Sequence, residues 1–427
     1  MAIICLDFGT SSIRAALRDN SGSVTPLALN ERPSIDNASI PSAYAYSEGK
    51  LYFGEAAIAR HIVAPSTTLL EASPKSWFFG DKIDQIDTSI ATTNISRFAA
   101  IAGLVALGAS LALSQAKRKI SAESVEFRIS HPIWQADRCS RIYSYYNILT
   151  ALANNDSGAH LDWEISLDHY RYWLDSNVAP LRAASIKPDP DPEEPIAAAI
   201  ELIGAPKSNR RNPILVVDIG AGTTDLAVFQ QLMPASGTSW KLCRLCNPVS
   251  VGQAGDALDR ILLKIAEHCD SATGSTELKN FENEIRLNKE KLFATGTVFL
   301  PYSRKLKLVD FTEHQDVQTF AATLQSATEK LIASAPIFEG SGAHQNDQIA
   351  VIYAGGGGSI DFIRSAVARG IRAAKPRLTP FLYEYAKPST YSVSASYERM
   401  AVSMGGTRNK EDWPIGMTRP LYYPGLG

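Results

Sequence analysis

Ile214-Leu215-Val216-Val217-Asp218-Ile219-Gly220-Ala221-Gly222-Thr223-Thr224-Asp225-Leu226-Ala227-Val228-Phe229 decides how this 427-residue chain is read. The apolar run Ile214 to Val217 reads as a buried strand, Asp218 stands at its end, and Leu226 to Phe229 returns as a second strand. Between them lies a hairpin tip in which Gly220 and Gly222 flank Ala221. Glycines let backbone N–H groups approach an anion closely and adopt positive φ, and the hydroxyls of Thr223 and Thr224 add donors. A carboxylate beside such a tip repels phosphate unless a divalent cation stands between them. The combination therefore implies phosphate together with Mg2+.

The same device occurs at the N-terminus. Ile3 to Leu17 reads as strand, Asp7-Phe8-Gly9-Thr10-Ser11-Ser12, strand. One copy is compatible with an ordinary turn. Two copies suggest a duplicated architecture with phosphate held between halves.

The length allows two or three domains and a sizeable core. With 42 Lys and Arg against 44 Asp and Glu, the formal charge of −2 makes no electrostatic case for nucleic acid or an anionic membrane. Five cysteines are too few and too scattered for a disulfide framework, and a reducing cytoplasm fits. Cys243 and Cys246 form a single C-x-x-C inside the strand-like segment Trp240 to Cys246, which favours a structural role over metal or redox chemistry. No signal peptide is apparent, because Arg14 and Arg18 follow the first apolar stretch and that stretch contains Asp7. Phe98 to Leu113 is short for a membrane span and reads as a buried helix.

Further along, short strands are expected at Val24 to Leu29, Ala43 to Tyr46 and Leu51 to Phe53, and a helix at Gly54 to His61. Lys75 follows Pro74 among apolar and aromatic residues; alone it would be a solvated charge. Ser96 has the character of an N-cap for a helix reaching Ala116. Val125 to Ser130 is a strand ending at His131-Pro132, and a helix begins near Ala136. An acidic, proline-rich turn at Lys187 to Pro195 leads into a helix at Ile196 to Ile200, with Pro195 near its first position and Glu194 just before it. Glu194 alone would be an acid complementing a helix dipole. A basic joint at Pro206 to Pro213 marks the domain boundary. Helices are expected at Ala257 to Cys269, Glu277 to Phe293, Val317 to Ala333 and Tyr397 to Met404, and a hairpin at Thr297 to Phe311. Ile349 to Ala354 is a strand running into Gly355-Gly356-Gly357-Gly358-Ser359 and then a helix, where backbone can lie flat against a ligand. It lacks G-x-x-x-x-G-K-[ST], so it is not a Walker loop.

In this order the pieces resemble the actin-like ATPase superfamily, and most nearly the nucleotide-binding domain of DnaK-type heat-shock chaperones. The residues that carry the resemblance are Asp7 to Ser11, Ile129 to Pro132, Glu194-Pro195 with Ala197 to Ile200, Asp218 to Asp225, Ala254 to Asp259, and Ala354 to Ile360. The resemblance implies an α/β, two-lobed actin-like ATPase fold, made of duplicated ribonuclease-H-like halves around a central nucleotide cleft. Residues 1–210 with 385–427 would form lobe I and 211–384 lobe II. Gly9, Thr10, Ser11 and Ser12 would grip ATP phosphates, as would Gly220, Ala221, Gly222 and Thr223. Asp7 and Asp218 would hold Mg2+ through its waters and position the attacking water, with Glu194 in the same network. Lys75 would match the family's catalytic lysine near the γ-phosphate. Thr223 and Asp225 would lie near a K+ site, Gly355 to Ser359 would pass along the adenosine, and Pro132 would help relay nucleotide state.

The chain departs from the family in places. On the helix that holds adenine it offers Arg286, Lys289, Glu290 and Phe293, of which only Lys289 keeps its type, leaving the base preference open. The arginine expected after the strand-Pro is displaced, with Ser140 in its slot and Arg138 and Arg141 beside it. Residues 151–193 are longer than the family's connection. No β-rich peptide-binding domain follows the last helix, so a normal chaperone cycle is not expected of this chain alone. The expectation is slow ATP hydrolysis, with lobe closure switched by nucleotide and read by a partner protein or co-chaperone. The alternatives are an actin-like filament or cell-organisation ATPase, a small-molecule kinase on the same fold, and a catalytically silent nucleotide sensor.

Overall fold

The computed structural model describes residues 1–30, 37–79, 83–86, 93–121, 124–133, 139–155, 161–184, 192–204, 212–232, 241–268, 276–337, 348–385, 391, 393, 396–409, 411, 413 and 415–416. Most of the joint at 206–213, of the turn at 187–195 and of the loop at 272–276 lies outside the described residues. So do Arg138, Trp240 and the side chains of Ser140 and Arg141. The protein is α/β, with several sheets and helices interspersed along the chain. It packs as two compact units, Met1–Lys207 with Glu384–Pro414, and Ser208–Tyr383 with Ile415–Gly427.

In the first unit the main sheet runs Val24–Pro26, Ser12–Arg18, Ala2–Phe8, Val125–Ser130. Ser12–Arg18 is antiparallel to both of its neighbours, and the fourth strand is parallel to Ala2–Phe8. Every residue of Ala2–Phe8 is buried, as expected of a central strand covered on both faces. The fifth strand, Ser39–Pro41, is antiparallel to Ser12–Arg18, and just past Val125–Ser130 an isolated parallel bridge joins His131 to Glu193. The His131 N–H donates to Pro192 O (3.2 Å), and the Glu194 N–H donates to His131 O (2.8 Å).

The helix Arg97–Lys117 is long and apolar enough to cross a bilayer, yet most of it is buried in the core of this unit. Ser96 caps it by accepting from the Ala99 N–H (3.2 Å). A second sheet, Leu69–Ala72, Ala43–Ser47, Lys50–Phe53, Glu164–Ser166, leads from its edge strand into the 3-10 turn Pro74–Phe79 that carries Lys75.

The second unit repeats the order. Its sheet runs Lys241–Arg244, Thr224–Leu232, Ile214–Ile219, Gln348–Gly355, Thr379–Leu382. Ile214–Ile219 is antiparallel to Thr224–Leu232 and parallel to Gln348–Gly355. Ile415–Gly416 adds in parallel beyond Lys241–Arg244, so it counts with this unit, whereas 385–427 was expected wholly in lobe I. The helix expected over Glu277 to Phe293 is two helices, Thr276–Asn283 and Ile285–Thr295, separated at Glu284 (φ −104°, ψ 15°). The hairpin expected over Thr297 to Phe311 ends at Lys307, and Leu308–Glu313 is helical. Cys243 lies on the strand Lys241–Arg244 and the Cys246 thiol donates to Leu331 O (3.8 Å); neither is in a disulfide.

The helix bearing Glu194, Glu194–Ile203, is clamped against Tyr397–Gly406. A Cβ added at Gly405 would lie 1.8 Å from Ala197 O. At the other end Glu201 accepts from the Tyr397 hydroxyl (2.7 Å) and pairs with Arg408 (3.0 Å). Gly405→Ala is therefore expected to destabilise the protein by about 1–3 kcal/mol, as overpacking does. Gly252→Ala, with nothing within 4 Å of the added carbon, is expected to be close to neutral. Denaturant unfolding of the two variants checks this, and equal midpoints would contradict the packing argument.

Candidate functional site

Three segments far apart in sequence meet in the first unit. Asp7 stands near the end of its central strand, with Arg14 opposite in the hairpin register and Ser130 opposite on the parallel side. The Arg14 guanidinium lies 3.9 Å from the Asp7 carboxylate. Lys75 and Glu194 form a direct hydrogen-bonded ion pair. Asp7, Lys75 and Glu194 are 7%, 3% and 7% exposed, so this is a buried charge cluster rather than a solvated surface pair. Loss of hydration, and then repulsion from Glu194, push the Asp7 carboxyl up to about 6, against the attraction of Arg14 and Lys75. Burial alone would lower Lys75. The fields of Glu194, Tyr146 and Asp7 outweigh it and hold the ammonium above its ordinary value.

The tip beside Asp7 is closed by the Gly9 N–H donating to Ser12 O (3.0 Å). A Cβ at Gly9 would meet that oxygen at 2.7 Å, which accounts for the glycine. Among the described residues, the N–H groups of Thr10 and Ser11 donate to no protein acceptor. The Ser12 hydroxyl is buried and has no hydrogen-bond partner among them.

The second unit builds the same tip. Asp218 stands near the end of its central strand, paired in register with Asp225 and with Ala354. The Gly220 N–H donates to Thr223 O (3.0 Å), the same closure as at Gly9, and the N–H groups of Ala221 and Gly222 donate to no protein acceptor among the described residues. The tip is braced from the helix Gly255–Glu267, whose Gly255 and Asp256 N–H groups donate to Gly220 O (3.1 Å) and Ala221 O (2.7 Å). Asp225 is buried and accepts from the Thr223 hydroxyl (3.1 Å).

Gly355 to Gly358 form a turn directly against this hairpin. Gly355 has φ 73°, and a Cβ there would lie 2.3 Å from Ile219 O and 2.8 Å from Asp218 Oδ1. At Gly357 it would lie 2.4 Å from Ile219 Cγ2, and at Gly358 2.8 Å from Tyr353 Cβ. Three of the four glycines thus answer to close packing; Gly356 and Ser359 are exposed. Lys289 donates to Gly255 O (2.8 Å) and pairs with Asp259 (2.8 Å), while Arg286 lies 3.7 Å from Asp256. Lys289 therefore supports the helix that braces the tip. Phe293 packs on Phe311 and Phe362, and Glu290 is exposed.

The sequence marks Asp7, Lys75 and Glu194 but neither their contact nor the part played by Arg14 and Tyr146. Hairpin register alone places Arg14 opposite Asp7. No local signal marks Tyr146.

Among the described residues no group of three or more His, Cys, Asp or Glu is gathered for a metal. Mg2+ bound with phosphate needs only one or two carboxylates, the rest of its shell being water and phosphate oxygen. Asp7, held against its charged form, and the unmatched Ser12 hydroxyl fit a cation–phosphate pair.

The charge on Asp7 has a stability consequence. From its ordinary 3.8 up to about 6, the folded protein holds a proton that the unfolded chain has released. The stabilisation from that proton is full below pH 4 and is lost as pH rises through 6. Asp7→Asn has no such loss, and is expected to exceed the wild type at pH 8 by on the order of 3 kcal/mol, with the gap shrinking toward pH 4. Unfolding curves of both proteins from pH 4 to 8, without added metal or nucleotide, check this; a pH-independent difference would contradict it.

Comparison of the chain with protein-family models and with curated proteins returned no match.

Proposed function

We propose that the chain is an ATP-binding, slowly ATP-hydrolysing, chaperone-like switch. It would have a two-lobed actin-like fold of duplicated ribonuclease-H-like halves, in which one Mg2+–ATP engages both hairpin tips and a partner protein reads the resulting lobe closure. The observation that carries the reading is the repeated tip. In each unit an aspartate stands near the end of the central strand, a parallel strand lies on its far side, and a glycine N–H closes the turn onto the carbonyl three residues on at 3.0 Å. The unclaimed N–H groups at both tips are donors of the kind that cradle phosphate.

In this reading Thr10, Ser11, Ala221 and Gly222 bind phosphate oxygens through backbone N–H groups, and Ser12 adds its hydroxyl. Mg2+, when bound, offsets charge between the phosphates and the carboxylates of Asp7 and Asp218. Lys75, kept protonated by its carboxylate neighbours, offsets charge that builds on the transferred phosphoryl group. A water oxygen attacks the terminal phosphorus, the bond to the ADP oxygen breaks, and the water's proton passes to a carboxylate. Asp7 and Glu194, the carboxylates of the buried cluster, are proposed to take that proton and orient the water. Lys289 holds the second tip from behind. The buried Asp225 and Thr223 are proposed to line a K+ site.

Calorimetry with ATP and Mg2+, followed by single-turnover hydrolysis, tests this. Asp218→Ala is expected to weaken binding by about tenfold or more; Lys75→Ala is expected to keep binding within about threefold and slow cleavage roughly a hundredfold. Wild-type cleavage by Lys75→Ala would remove Lys75 from the chemistry. A wild type that takes up no nucleotide would end the reading.

A further inference from the structure

Ser42 occupies a place that no function has yet used. The chain leaves the main sheet of the first unit at Pro41, which pairs with Ser12, and enters the second sheet at Ala43, which pairs with Ala72. Ser42 is the single residue between, buried at 1% exposure, and it ends both ladders at once. Its N–H donates to Ser11 O (3.0 Å), its hydroxyl donates to Gly9 O (2.7 Å), and its own carbonyl accepts from the Ser73 N–H (3.0 Å). Ser73 has φ 69°, a left-handed conformation that a serine rarely adopts, and immediately precedes the Pro74–Phe79 turn bearing Lys75. One residue thus holds the tip at Gly9 and Ser11 and the turn that aims Lys75 at Glu194.

We infer that Ser42 is a positioning residue that fixes the Gly9–Ser12 tip and the Lys75 turn in one frame. A ligand seated on the tip then meets the lysine without either segment searching for the other. The inference rests on the ATPase reading for its catalytic consequence, though the mechanical coupling stands without it. Removing the hydroxyl leaves both backbone bonds and takes away only the bond to Gly9 O, so the effect expected is misplacement rather than unfolding.

The test uses the full chain as wild type, Ser42→Ala and Ser42→Cys, the last keeping a weak donor at the same place. Hydrogen exchange is followed at 9–12, 73–79 and 214–232, alongside ADP binding and single-turnover ATP cleavage with Mg2+. Ser42→Ala is expected to raise exchange at 9–12 and 73–79 together with 214–232 unchanged, to bind ADP within about threefold of wild type, and to cleave ATP about tenfold more slowly, with Ser42→Cys in between. Faster exchange at 9–12 alone, with 73–79 and cleavage unchanged, would reduce Ser42 to a support of its own turn and overturn the inference, as would no change anywhere. If the wild type neither binds nor cleaves nucleotide, the functional reading fails. The exchange data then decide the coupling by themselves: joint loosening upholds it and separate behaviour rejects it.

Discussion

Two carboxylates buried near one another constrain the first unit more than any other feature. Asp7 and Glu194 repel, and burial strips both of water. Lys75 and Arg14 make the arrangement tolerable, each from a different part of the chain. Lys75 arrives through a second sheet and a 3-10 turn. Glu194 arrives on a helix held by the glycine contact at Gly405 and the Glu201 network. A fold selected for stability alone would have an apolar or amide side chain in place of Asp7, since replacing a strained buried charge is often favourable. Strained carboxylates of this kind cluster at functional sites, because a ligand cation or a transferred proton relieves them.

The second unit meets a different constraint at the equivalent place. Its aspartate is bordered by a turn that only glycine can supply, since Gly355 approaches both Asp218 and the strand backbone too closely for any side chain. The helix Gly255–Glu267 spends its first N–H groups on the carbonyls of the tip, and Lys289 completes the brace by bonding to Gly255. Under the proposed function, a tip braced in this way would offer its donors already in place, and preorganised donors stabilise developing charge without further ordering.

Both hairpins were legible in the sequence because their determinants are local: apolar runs buried on both faces, an aspartate near the strand end, and a glycine where the turn closes. The parallel strands Val125–Ser130 and Gln348–Gly355 were legible for the same reason. The pairing of Lys75 with Glu194 was not, because nothing in either segment encodes a partner so distant in sequence; only the family resemblance placed both near one ligand. The break at Glu284 escaped notice because no glycine or proline marks it, and the apolar and charged pattern continues across it. The bridge between His131 and Glu193 is a single residue pair, too short to leave a strand pattern. The glycine run at Gly355 has the pattern of a ligand-facing backbone, and packing against Ile219 and Tyr353 accounts for most of its glycines.

What joins these features is the proposal that Mg2+–ATP binds at the tips. Amide hydrogen exchange across a titration with Mg2+–ATP addresses it directly, because the donors at Thr10, Ser11, Ala221 and Gly222 are backbone N–H groups that exchange measurably when unbonded. Protection at 9–12 and at 220–223 should appear together, with one shared midpoint in nucleotide concentration. Protection confined to one tip, or two separate midpoints, would contradict it.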